Sequence, residues 1–174
     1  MAVRRQDTMT SQPVNALEQL WQEFVALDRQ HHAARMELLR DSQSGALLLP
    51  VLRKALGKVD ERAAALRLLA FLDESVRREL LPELVYLAAF GHRDIRLVRD
   101  VILTFDQQWL EDHLPREIEH VLQGPDPYEE YRRFAELLRL LRSPYLETLL
   151  GQAAANDNPD IQEVAEDFGS PGNS

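Results

Sequence analysis

Apolar residues recur at helical spacing along most of this chain, and short polar turns separate the segments that they form. In the first segment the apolar positions lie three or four residues apart: Leu17, Leu20, Trp21, Phe24 and Leu27. That spacing places them on one face of a helix with about 3.6 residues per turn. The pattern predicts a helix over residues 15–40, ended by the small, polar stretch that closes at Gly45.

From residue 46 onward the same spacing predicts four pairs of helices joined by short turns. The pairs are 46–56 with 61–72, 76–90 with 95–105, 109–122 with 127–141, and 145–155 with 161–168. The first two turns begin with Gly57 and Gly91 and end with Asp60 and Asp94. Glycine suits the position just past a helix C-terminus, and Asp can accept hydrogen bonds from the free N–H groups that begin the next helix. We therefore predict that these Asp residues are helix caps.

Two markers repeat along this region with a period of about 33 residues. Asp94 follows Asp60 after 34 residues, and Asp160 follows Asp94 after 66, which is twice 33. A Leu-Pro pair recurs in step, 32 and then 33 residues apart, at Pro50, Pro82 and Pro115. Proline in a helix interior removes a hydrogen bond, so the helices at Pro82 and Pro115 should kink or begin later. A period of this length predicts an α-solenoid.

The openings of the predicted second helices resemble the HEAT-repeat family, in which this helix begins with Asp, an aliphatic residue and Arg. The sequence Asp94-Ile95-Arg96 has all three; Asp160-Ile161-Gln162 has Gln for Arg, and Asp60-Glu61-Arg62 has Glu for the aliphatic residue. The third opening departs from the motif, because Asp126-Pro127-Tyr128 has no Arg. The resemblance covers residues 46–168 and implies about four antiparallel helix pairs whose second helices line a concave face.

The helix at 15–40 is placed to cap the first repeat, with Trp21 and Phe24 covering it, because terminal repeats need an outer cover. We expect one domain over residues 15–168. Residues 1–14 and 169–174 are polar and lack periodicity, so we expect a disordered lead and a disordered tail.

Charge narrows the choice of partner. The net charge is -9, and from Trp109 onward five Lys and Arg face fourteen Asp and Glu. An acidic chain argues against binding to nucleic acid or to an anionic membrane, and favours a protein partner with basic surface. The chain has no cysteine, no apolar run of about 20 residues and no apolar leader at its start, so we expect a cytoplasmic protein.

Catalytic and metal-binding motifs are weak. His113, Glu117 and His120 fall at i, i+4 and i+7 on one helical face, an order that could offer zinc two imidazoles and a carboxylate. The spacing differs from His-Glu-x-x-His, and a solvated acidic face is the favoured interpretation. No phosphate-binding Gly loop, dinucleotide fingerprint or nucleophile motif occurs. We expect no metal, no cofactor and no catalytic residue.

Candidate binding residues lie instead on the predicted second helices, where Arg and Tyr recur at matching positions. Arg and Tyr are enriched among the residues that dominate interface energetics. The candidates are Arg62, Arg96, Arg99, Tyr128 and Tyr131. The alternative for Arg62 and Arg96, that they brace the Asp turns structurally, stays open.

The sequence thus predicts a non-catalytic HEAT-like scaffold that binds a protein partner through its concave face. An immunity or inhibitor protein is one specific form of such a scaffold. A second hypothesis is a repeat-based enzyme or chromophore-handling protein resembling phycobilisome lyases, which would need His, Tyr and Asp clustered in one cleft. Nucleic-acid binding is disfavoured by the charge.

Overall fold

Residues 11–41 and 45–169, which the computed structural model describes, form ten α-helices and no β-strand. The all-α prediction is confirmed for these residues. The helices are α1 (Ser11–Asp41), α2 (Gly45–Leu56), α3 (Val59–Leu69), α4 (Glu74–Arg78), α5 (Leu81–Ala88), α6 (Ile95–Ile102), α7 (Gln107–Leu122), α8 (Tyr128–Leu141), α9 (Tyr145–Ala154) and α10 (Pro159–Gly169). Within the described ranges, no helix combines the length and the apolar content that crossing a membrane requires.

The chain divides into two units, Met1–Ser44 and Gly45–Ser174. The described part of the first unit is α1, which begins at Ser11, four residues before the predicted start. The rest of the predicted lead (1–10) and tail (170–174) lies outside the described residues. The rings of Trp21 and Phe24 stack on each other with centroids 5.7 Å apart, and both are exposed. The capping role of this helix stays a prediction.

The second unit contains the helix pairs that the sequence predicts. α2 packs on α3, α5 on α6, α7 on α8, and α9 on α10. First helices of neighbouring pairs also touch, as α2 does α4 and α5 does α7, and so do second helices, as α3 does α6 and α8 does α10. The pair boundaries agree with the sequence prediction to within a few residues, because amphipathic spacing and turn composition are local properties of the chain.

The first helix of the second pair is broken. α4 ends at Arg78 and α5 begins at Leu81, just before Pro82. Proline has no backbone N–H and disfavours the helical region for the residue before it, so a single helix through this point would lose a hydrogen bond. The sequence predicted a kink or a later start, and here the helix begins anew. Pro50 and Pro115, by contrast, lie inside α2 and α7.

The recurring Asp residues do not cap helices as the sequence predicted. Asp94 occupies the N-cap position of α6, but its side chain makes no capping hydrogen bond and its Oδ2 is buried without a hydrogen-bond partner. Asp60 and Asp160 lie in the first turns of α3 and α10, where a negative charge still complements the helix dipole. A side-chain cap occurs at Asp106, whose Oδ1 accepts from the Trp109 N–H at 2.9 Å.

The core of the second unit is built mainly from leucine. The largest side chains that are almost wholly buried include Leu56, Leu69, Leu84, Ile102, Leu114, Ile118, Phe134, Leu138 and Leu149. Members come from every helix pair, so a single core connects the four pairs. Each such side chain contributes roughly 1.5–3 kcal/mol through removal of apolar surface from water.

Candidate functional site

Arg62, the first predicted binding residue, closes the turn between α2 and α3. Its Nε donates to the Leu56 carbonyl at 2.8 Å, which satisfies one of the free carbonyl groups at the end of α2. Gln162 repeats this contact in the last pair, where its Nε2 donates to the Asn156 carbonyl at 2.7 Å. Both contacts reach back six residues. The structural role that the sequence left open is therefore present for Arg62.

The second pair uses a histidine for a similar purpose. His92 Nε2 lies 2.9 Å from the Leu87 carbonyl at the end of α5, and its Nδ1 lies 3.1 Å from the Asp94 N–H. The Asp94 N–H donates, so Nδ1 accepts and Nε2 carries the proton given to the carbonyl. Arg96 occupies the same position relative to Asp94 as Arg62 does relative to Asp60. It is exposed and makes no hydrogen bond or ion pair within the described residues. It remains available to a partner.

Arg99 joins two second helices. Its Nη2 lies 2.5 Å from Glu136 Oε2, and Arg99 is 16% and Glu136 30% exposed, so the pair connects α6 to α8 in a half-buried place. Burial alone would raise the pKa of Glu136, but the hydrogen bond and charge of Arg99, with those of Arg133, outweigh it and hold that pKa below its usual value. Arg99 is thus already paired with Glu136 inside the protein and is not free to bind a partner.

The two predicted tyrosines differ in accessibility. Tyr131 is 8% exposed and packs in the core with Phe134 and Ala135, and burial raises its pKa. A partner could reach little of that side chain. Tyr128 is half-buried against the edge of the core. Among the five predicted residues, Arg96 and Tyr128 are therefore the ones open to contact.

The weak metal candidates do not converge. His113 stacks on Trp109 with ring centroids 4.3 Å apart, and its Nδ1 lies 2.7 Å from the Trp109 carbonyl. His113 and His120 line two different depressions of the surface, and Glu117 lines both. Within residues 11–41 and 45–169, no group of three or more His, Cys, Asp or Glu is placed to hold a metal ion.

A groove of about 560 Å³ lies on the first helices of the second unit, and the sequence did not predict it. α2, α5 and α7 supply most of its lining, and α3 adds Arg62. Leu56, Leu87 and Val121 give it apolar surface, whereas Arg53, Arg62, Glu83, Tyr86, Glu117 and His120 supply its polar groups. We call this depression, together with the adjoining one described next, the first-helix groove.

The adjoining depression, of about 570 Å³, shares Arg53, Pro82 and Glu117 with the first. Trp109 forms one wall, and the Arg78 guanidinium lies over its ring at 4.7 Å. Glu74 accepts from Arg78 at 2.6 Å and from the Asp106 N–H at 3.2 Å, and the Arg78 hydrogen bond is the main reason that the pKa of Glu74 is lowered. Arg78 is therefore held between a carboxylate and an indole.

The cations of the first-helix groove are already occupied. Arg53 donates to Glu83 Oε1 and to the Glu79 carbonyl, both at 2.8 Å. The side chains of Glu79 and Glu117, in contrast, have no hydrogen-bond or ion-pair partner in the described part of the chain. Glu79 and Glu117 are consequently the acidic groups of the groove that remain open to a cation. Tyr86, which is 57% exposed, lines the same depression as Glu117.

Comparison of the chain with known proteins gave no matching family model, no matching curated protein and no matching solved structure.

Proposed function

We propose that this protein is a non-catalytic, HEAT-like helical scaffold that binds a protein partner with basic surface. The period of about 33 residues and the packing of α2 on α3, α5 on α6, α7 on α8 and α9 on α10 support the architecture. So do the contacts of first helices with first helices and of second helices with second helices, because stacked repeats touch chiefly their neighbours.

The first-helix groove is the binding surface that we assign to this function. The observation that carries the assignment is that Glu117, a carboxylate without a partner among the described residues, lines both depressions of the groove, with the exposed Tyr86 ring in one and the unpaired Glu79 in the other. An arginine or lysine side chain of a partner could pair with a carboxylate and lie against the aromatic ring, and both contacts strengthen as water is excluded. An inhibitor or immunity protein that covers a basic surface would use this chemistry.

A labelled, arginine-rich peptide tests the charge preference directly. Fluorescence anisotropy should show binding to the wild-type chain, and Glu79→Gln with Glu117→Gln should weaken it by about tenfold or more, since each loses a charge-assisted hydrogen bond. The matched control is Glu129→Gln with Glu147→Gln, which removes the same charge from exposed positions on α8 and α9 outside the groove. Equal loss in both double variants would show that net charge, and not the groove, attracts the peptide.

The native partner provides the second measurement. Purification from the host with wild-type chain as bait, beside both double variants, should recover a basic protein that only the groove variant loses. Arg96→Ala on the second helices distinguishes the two faces: loss of the partner there, with the groove variant unaffected, would place binding on the second helices and contradict the groove assignment.

The chromophore-handling alternative has one observation in its favour. Tyr86, Glu117 and His120 line the same groove, so an aromatic hydroxyl, a carboxylate and an imidazole share one depression. A linear tetrapyrrole added to the protein should then change its visible absorbance, and Tyr86→Phe with His120→Gln should reduce that change. An unaltered spectrum would remove this alternative.

A further inference from the structure

The long helix α1 carries an apolar face that repeats every seven residues. Two sets of positions follow this period along the helix: Leu17, Phe24, His31 and Leu38 in one, and Leu20, Leu27 and Ala34 in the other. They correspond to the a and d positions of a coiled coil, which form a continuous stripe along a helix. The five large apolar members of the stripe are 50–67% exposed. Trp21, beside the stripe, is 60% exposed.

The area of this face matches what a helix pair requires. The exposed fractions of those leucines, Phe24 and Trp21 correspond to roughly 700 Å² of apolar side-chain surface, close to the roughly 800 Å² that each partner buries in a standard protein interface. A stripe of this size left in water is unusual for a helix and is typical of an association surface.

We propose that α1 is a self-association element that pairs with α1 of a second copy of this chain, in antiparallel orientation. The proposal does not depend on the first-helix groove, which lies in the other unit. In the pairing that we infer, Phe24 packs against Leu27 of the partner subunit, and Leu20 packs against His31 of the partner subunit. Six layers of a and d residues then stack along the interface.

Charges beside the stripe select the orientation. In a parallel pair Glu23, at a g position, would lie opposite Asp28 of the partner subunit, at e, and symmetry would repeat this like-charge contact on the other side. In the antiparallel register Glu23 lies near Gln30 of the partner subunit instead, and the opposed helix dipoles attract each other. The antiparallel arrangement avoids both repulsions.

His31 is the one polar residue among the a and d positions of the stripe. A single polar residue at an a position fixes register and lowers stability. We therefore expect His31→Leu to tighten the dimer by about tenfold, with a less defined register.

Sedimentation velocity of the full chain tests the association. The wild-type protein should form a dimer of about 40 kDa, twice the 20.0 kDa of one chain. Leu20→Glu with Leu27→Glu should raise the dissociation constant at least a hundredfold, and Leu20→Ala with Leu27→Ala should do so by a smaller factor while favouring the helix. Met36→Gln is the matched control, since Met36 is an exposed apolar residue of α1 outside the stripe. Far-UV circular dichroism checks that each variant stays helical.

Distance measurement tests the orientation. The chain has no cysteine, so Arg40→Cys accepts a single spin label. At 1.5 Å per residue the antiparallel register separates the two labels by roughly 44 Å, whereas a parallel pair brings them within roughly 25 Å. A wild-type chain that stays monomeric at high micromolar concentration, as it would if the stripe covered the first repeat of its own chain, would overturn the proposal. A dimer that the Leu→Glu changes leave intact would overturn it equally, and a short label distance would overturn the antiparallel arrangement.

Discussion

The Arg99–Glu136 pair allows the packing of α6 on α8 to be tested quantitatively. Glu136→Gln keeps the shape of the side chain and one hydrogen-bond acceptor, but removes the charge that neutralises Arg99. At an effective dielectric constant of about 20, two unit charges about 4 Å apart attract by roughly 4 kcal/mol, and solvent reduces the net value. Exposed pairs contribute about 0–1 kcal/mol. This pair is 16% and 30% exposed.

We expect a loss of about 1.5 kcal/mol, between those limits, because the Arg99 guanidinium loses its neutralising carboxylate and keeps only neutral acceptors, among them the Arg133 carbonyl 3.5 Å from its Nη2. For a chain of this size the loss corresponds to a fall in Tm of roughly 3–6 °C. Urea unfolding followed by circular dichroism gives the free energy of unfolding of the wild type, of Glu136→Gln and of the exposed control Glu129→Gln.

The pH dependence adds a second readout. The pKa of Glu136 is lower in the folded chain than in the unfolded one, so its contribution to stability is present above the unfolded pKa. It is lost as the pH falls through the folded pKa, because the carboxylate is then protonated in both states. The difference between wild type and Glu136→Gln should therefore shrink in acid. A difference that is the same at neutral and at acid pH, or that equals the Glu129→Gln control, would refute the assigned role.

Two further predictions follow from single residues. Arg142, just past the end of α8, has φ 52° in the left-handed region, so Arg142→Gly should raise the free energy of unfolding by about 1 kcal/mol, and an unchanged or lower Tm would contradict this. Burial, aided by a hydrogen bond from Tyr145 to Glu119 at 3.1 Å, raises the pKa of Tyr145 from 10.0 to about 12. The contribution of Tyr145 to stability is therefore full below pH 10 and is lost as the pH rises through 12. An ultraviolet titration of tyrosinate should lose its latest component in Tyr145→Phe, and the same late component in that variant would reject the assignment.

The helix pairs were predictable because their signals are local. Apolar spacing marks each helix, and Gly, Pro and Asp mark each turn, within a few residues of sequence. The placement of Tyr131 was also readable, since it stands at i, i+3 and i+4 with Phe134 and Ala135, all of which are buried. The prediction that Tyr131 binds a partner relied on the residue type, whereas its position on the apolar face of the helix indicates burial.

The first-helix groove could not be predicted in the same way. It depends on side chains from five helices, α2, α3, α4, α5 and α7, and on which of their charges are already satisfied. Arg53 is neutralised by Glu83 and donates a hydrogen bond to the Glu79 carbonyl, whereas Glu117 is left without a partner among the described residues. Composition records neither fact. The turns that contain the recurring Asp residues were equally hard to predict. There the side chains of Arg62, His92 and Gln162 contact backbone carbonyl groups near the ends of the first helices. A contact with a backbone carbonyl cannot be read from the sequence, because every residue carries that group.

The polar contacts between neighbouring helix pairs bear on how the protein unfolds. They join residues 26 to 37 positions apart, from the Arg53 contact with the Glu79 carbonyl to the Arg99 contact with Glu136. Each of these contacts closes a short loop of the chain, so its cost in chain entropy is small. We therefore expect the protein to fold fast and to open in stages. We expect the last pair, α9 and α10, to detach while the core around Leu84 and Ile102 stays closed, because that pair packs on α8 alone among the other pairs' helices that it contacts most. Within the second unit, backbone amides should therefore exchange with solvent first in α9 and α10 and last around Leu84 and Ile102.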